Sequence, residues 1–282
     1  MNNIFNIRRF GLVLNKDFRE SWKKYGLQFL TLFGIMAVIF TLYLYNNYSY
    51  VHENRVNYEH DSVRLLNTAS FLFLGFGIFY ASTMMELMRD KTTKIAHLAM
   101  PASALEKFFS RWLIVSFGYI IAFFIALWLA DAVRITVLSY KYPDLDFKFI
   151  DFKVLIDPKI NNGSYVFFSK HFFVLCISLY ALLHSLFILG ATFWDKASFI
   201  KTFSAIVAIV LLFILVNNWV IKIAYHNYNG LDGFGRAFEF YFRHFEEKTV
   251  MTFISVVFAV FTLVNWALAF FRFRESEIIK RL

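Results

Sequence analysis

Six stretches of the chain, residues 26–45, 65–85, 112–130, 172–194, 202–221 and 249–271, contain no Asp, Glu, Lys or Arg. They are 19 to 23 residues long, and a helix rising about 1.5 Å per residue crosses roughly 30 Å of hydrocarbon in that length. A run such as "GLQFLTLFGIMAVIFTLYLY" is apolar on every side, whereas a helix of a water-soluble protein keeps a polar face. None of the runs alternates apolar with polar residues over about ten positions, the signature of an outer-membrane strand. Composition agrees: 59% of residues are hydrophobic, 21% aromatic, and mean hydropathy is +0.54. The expectation is an all-α polytopic membrane protein, one domain over residues 1–282, with spans at about 26–45, 65–87, 104–130, 172–194, 202–221 and 249–271. The beginning of the chain has no compact apolar core followed by a small-residue cleavage site, so the first span is expected to stay as an anchor. The single cysteine, Cys176, lies within the fourth span and has no partner for an intramolecular disulfide.

Six crossings put both ends of the chain on one side. Of the 29 Lys and Arg, 17 fall on that side: at the N-terminus, between spans two and three, between spans four and five, and at the C-terminus. The positive-inside rule then predicts a multi-pass protein of the cytoplasmic (inner) membrane with both termini cytoplasmic and external loops at 46–64, 131–171 and 222–248. A net charge of +9 in such a chain points to anionic lipid headgroups as partners and not to nucleic acid.

Flanking segments carry their own patterns. Over residues 4–24, Ile4, Ile7, Phe10, Leu14, Phe18 and Trp22 recur at steps of three and four, with Arg8, Arg9, Lys16, Arg19 and Lys23 on other faces. This predicts an amphipathic helix lying in the membrane surface, or packing on a soluble partner. Residues 46–64 read as helix extension or cap, and 131–171 as a small external substructure. Between spans five and six, Phe234, Phe238, Tyr241 and Phe245 fall along one helical face, predicting an aromatic helix lying in the outer interface or dipping into it.

The loop between spans two and three, "DKTTKIAHLAMPASALEKFFSRW", is the most structured of the short connections. Pro101 disfavours continuing a helix, and Ser103 followed by Glu106 is a capping-box pattern, so a new helix should begin at about Ala104. Before the proline there is room for one short helix with Ile95, Leu98 and Ala99 on one side and Lys91, Lys94 and His97 on others.

Residues 85–114, "MELMRDKTTKIAHLAMPASALEKFFSRWLI", resemble the permease subunits of type-2 ABC exporters in their Leu-x-x-Pro-x-Ser and the Glu-Lys just before a span. The six-span layout, the amphipathic segment before the first span and the aromatic segment after the fifth match in architecture. The resemblance implies that residues 92–100 form a short coupling helix docking in a groove of a separate ATP-binding subunit, with Thr92, Thr93, Lys94, Ile95, His97, Leu98, Met100 and Pro101 in that loop. It also implies a homodimer or heterodimer with a second permease, and ATP and Mg bound by the partner. The chain itself lacks G-x-x-x-x-G-K-[ST], so this chain is expected to bind no cofactor. A non-transporting scaffold or regulator that binds an ATPase is the alternative.

Polar residues inside the runs are few. Glu86 and Asp131 sit at span ends, where a carboxylate reaches water; His184 is deeper, bonded between helices or touching a substrate. Asn217, Asn218 and Asn265 are suited to interhelical hydrogen bonds, and Gly77 with Ala81 to close packing. His184 and Ser185 are neighbours about 100° apart on a helix, no nucleophile–base pair, and the external His52, Glu53, Glu59, His60 and Asp61 fit no ligand spacing. No enzyme activity, catalytic residue or metal site is expected.

Overall fold

The computed structural model describes residues 5–49, 58–88, 91–143, 145–155, 167, 169–194, 196–224 and 245–278. Long helices account for nearly all of them, because within a membrane the backbone must satisfy its own hydrogen bonds. In chain order they are α1 (Ile7–Ser49), α2 (Tyr58–Ser82), α3 (Lys91–Leu98), α4 (Ala104–Leu113), α5 (Tyr119–Lys141), α6 (Lys170–Phe193), α7 (Ser198–Ala224) and α8 (Glu247–Ile278). A π-helical stretch, Ile114–Gly118, joins α4 to α5 without a break, and one 3-10 turn, Glu86–Met88, precedes α3. Six helical units are long and apolar enough to cross a membrane, as the uncharged runs require.

Two boundaries differ from expectation. The amphipathic segment at 4–24 and the first span are one helix: α1 runs for 43 residues, about 65 Å, roughly twice the hydrocarbon thickness. Nothing local stops it, since a lone Gly26 costs only about 1 kcal/mol relative to Ala. The third unit continues past residue 130 to Lys141, taking eleven residues from the expected loop 131–171. The aromatic segment 234–244 lies outside the described residues, as do His52 and Glu53.

Two groups of helices build the bundle. α1 packs along α5 and, through its leading half, on α4; α6 packs most extensively on α8 and also touches α2 and α7. Phe40, Met36 and Leu32 of α1, Ala126, Leu127 and Ala130 of α5, and Phe187 and Ile188 of α6 fill the interior. Aromatic rings close the centre: Phe73 lies 4.6 Å from Tyr180, 4.9 Å from Phe123 and 5.5 Å from Tyr119, ring centre to ring centre. Outward faces are apolar, with Phe71, Ile209, Leu215 and Trp219 all exposed, as suits lipid contact.

Gly77 is where α2 approaches that aromatic centre. A Cβ at Gly77 would lie 2.7 Å from the Tyr180 ring and 3.1 Å from Tyr119, whereas one at Gly75 would meet nothing within 4 Å. Tyr180 cannot swing aside cheaply because Phe73 covers it. Gly77→Leu is therefore expected to lower stability by about 3 kcal/mol through overpacking, and Gly75→Leu to leave it unchanged or raise it, read as thermal unfolding midpoints in detergent. Equal effects at the two positions would contradict this packing.

Candidate functional site

The end of the bundle carrying the N-terminus holds an unusual concentration of buried charge, and α3 sits on it. After α2 the chain turns at Thr83, passes through the 3-10 turn and forms α3, eight residues and about 12 Å long. Thr93 Oγ1 donates to the Leu87 carbonyl at 2.8 Å, fixing the start of α3 to that turn. At the other end, the amide of Ala99 donates to Ile95 O at 2.9 Å and the amide of Ala102 to Met100 O at 2.8 Å, and Pro101 closes the turn.

Ser103 then caps α4 with both arms of the box: the Glu106 amide donates to Ser103 Oγ at 3.2 Å, and the Ser103 amide to Glu106 Oε2 at 2.9 Å. The cap is also a long-range hub. Glu106, fully buried, accepts the Asn6 amide at 2.6 Å, Arg9 Nε at 3.0 Å and Arg9 Nη2 at 2.8 Å. One carboxylate thereby ties the start of α1 to the start of α4.

One turn further, Asp17 of α1, 2% exposed, accepts Ser110 Oγ at 2.9 Å and lies 3.7 Å from Arg111 Nη2. Arg111 Nη1 donates to the Met84 carbonyl at 3.2 Å, bringing in the end of α2. A third pair, Lys24 with Glu86, ties α1 to the 3-10 turn. Desolvating charges is costly, and such groups persist only when each finds a partner. The base under α3 is therefore stitched from three elements by groups that are expensive to separate.

On this base α3 shows two unlike faces. Thr92, Ile95, Ala96, Ala99 and Pro101 are exposed, with Ile95 67% accessible, a small apolar ridge at helical spacing. His97, expected on a face with the lysines and away from Ile95, instead faces inward at 1% exposure, edge-on to Phe273 of α8. Desolvation, with Arg111, Lys107 and Lys16 nearby, pushes its pKa down to about 3. Thr93, Lys94 and Met100 are half-buried, and the side chain of Leu98 lies outside the described residues.

The other polar residues fall elsewhere. Glu86 joins the base through Lys24, but His184 is buried mid-bundle, where it hydrogen-bonds the Val115 backbone in the π-helical stretch. Its neighbour Ser185 accepts Asn265 Nδ2 at 3.0 Å, so both serve contacts between helices. Asn217 donates to Phe213 O of its own helix at 2.7 Å, and Asn218 is half-buried beside it on α7. These two share no site with His184 or α3.

Asp131 corrects an expectation. It is 3% exposed, not reaching water, because Arg134 donates to it at 2.6 Å and the Ile150 amide at 2.9 Å as residues 145–151 fold back over it. Among the described residues no His, Cys, Asp and Glu group is arranged to hold a metal ion. No protein-family model, curated protein or solved structure matches the chain.

Proposed function

We propose that this chain is the membrane-spanning permease of an ATP-driven exporter, with α3 as the helix through which a separate ATP-binding subunit moves it. The observation that carries the reading is the exposed ridge of Thr92, Ile95, Ala96 and Ala99 on a short helix held at both ends outside the six apolar helices. An exposed isoleucine there has no lipid to enter and suits a protein groove. A motor in another subunit shifts a bundle only through a contact that does not yield, and the Glu106 and Asp17 pairs supply that stiffness. In this reading ATP and Mg belong to the partner, α3 faces the cytoplasm, and the termini lie on the same side. The interior of one chain is filled by Phe73, Tyr119, Phe123 and Tyr180, so cargo would pass between this chain and a second permease.

The same aromatic filling favours a second reading, a scaffold that binds an ATPase and moves nothing. Both readings predict that the tagged chain, solubilised from its native membrane, co-purifies with a Walker-motif ATPase. Ile95→Glu, at an exposed position, should lose that subunit while retaining the wild-type unfolding midpoint. Recovery of no ATPase, or undiminished recovery by Ile95→Glu, contradicts docking at α3. ATP-dependent loss of cargo from loaded proteoliposomes then separates the exporter from the scaffold.

A further inference from the structure

Among the described side chains of α3, His97 faces inward and is left without a hydrogen-bond partner. The ring is 1% exposed, and neither Nδ1 nor Nε2 has a hydrogen-bond partner among the described residues. From α4 it is faced by Lys107 and Arg111; from α1 by Lys16, which pairs with Glu20 at 3.5 Å; from α8 by the uncharged Phe273. Of the acids in the base, Asp17 is engaged by Ser110 and Arg111, and Glu106 by Arg9. Lys94 lies one turn earlier on α3 itself. A neutral imidazole fits this pocket as an aromatic plug; an imidazolium would bring another positive charge into a dry site already ringed by cations.

We propose that His97 is a proton-sensitive latch: protonation expels it from beneath α3 and releases the coupling helix from the bundle. The proposal rests on the reading of α3 as the coupling element, and adds that acidification uncouples it. The direction follows from linkage. With the ring docked the proton is held only below about pH 3, and the released ring titrates near its ordinary 6.5. Docking is therefore fully favourable above pH 6.5 and weakens as the pH falls from there toward 3. Between pH 7.0 and 5.5 the opening equilibrium of α3 should rise roughly eightfold. Near-neutral acidification, not extreme acid, is then enough to change the population.

Amide hydrogen exchange of the full chain in nanodiscs, without any ATPase, tests this directly. After correction for the intrinsic pH dependence of exchange, protection across residues 91–99 should fall roughly eightfold from pH 7.0 to 5.5 in the wild type. In His97→Gln, neutral throughout, it should not change with pH. Protection that is flat in the wild type, or that falls equally in His97→Gln, overturns the latch. If His97→Gln already leaves α3 unprotected at pH 7.0, the wild-type imidazole decides by NMR. A ring resonance, identified by its absence from the variant, that titrates below about pH 5.5 supports the latch, and one titrating at or above it overturns the latch. Because no ATPase is present, either result leaves the docking of a partner at Ile95 to be judged by the co-purification alone.

Discussion

Arg9→Ala is expected to destabilise the fold by about 2–3 kcal/mol, and the same change on a Glu106→Gln background to cost well under about 1 kcal/mol. Glu106 is fully buried and carries its charge on four donors: two backbone amides, of Asn6 and Ser103, and the Nε and Nη2 of Arg9. Without Arg9 the amides remain, but the counter-charge is gone. Breaking a fully buried pair costs about 3–5 kcal/mol; Arg9 is 35% exposed, and screening lowers the figure. Glutamine needs no counter-charge and keeps an oxygen for an amide, while Arg9 turns to water. A double-mutant cycle followed by unfolding in mixed micelles should therefore return a coupling of about 2 kcal/mol. A coupling near zero would mean that the cap of α4 stands by itself and that the start of α1 is not fastened to it.

The sequence showed this cap but not its reach. Ser103 and Glu106 are three residues apart, and their reciprocal bonds are local, so one strand of text contains the whole motif. Arg9 and Asn6 lie about a hundred residues away, and no spacing rule connects them to Glu106. The six apolar helices were legible for the same reason as the cap, since each uncharged run reports its own environment. The length of α1 was not. The pattern over residues 4–24 reads as apolar against charged, yet Asp17 is buried on the same side of α1 as Val13 and meets Ser110 of α4. Only the arginine and serine of another helix make that aspartate a buried residue. Asp131 misled for a related reason: its place at a span end suggests water, and the amide that buries it arrives nineteen residues later. His97 shared a helix with residues that are exposed, and which side of α3 faces inward depends on the base beneath it.

Arg111→Met is expected to cost about 3–5 kcal/mol, and most of that loss should return in the double variant Asp17→Leu with Arg111→Met. Asp17 is 2% exposed and accepts from Ser110, and removing the guanidinium takes away the positive charge 3.7 Å from it. Its charge would then sit in a buried site without the guanidinium that faces it. Removing both charges takes away the desolvation cost together with the attraction, and Leu keeps the branched outline of the aspartate side chain although it is bulkier. Arg111 has a second duty that the double variant does not restore. Its Nη1 holds the Met84 carbonyl, where α2 ends and the turn toward α3 begins. Global stability and the order of α3 should therefore separate: the double variant recovers its unfolding midpoint, yet amide exchange over residues 84–98 remains faster than in the wild type. If recovery of stability also restores protection there, the arginine acts only as the partner of Asp17. If protection stays low, Arg111 is the link by which the charged base sets the stiffness of the helix above it; under the proposed role of α3 as a coupling helix, the double variant should then co-purify with less ATPase although Ile95 is untouched.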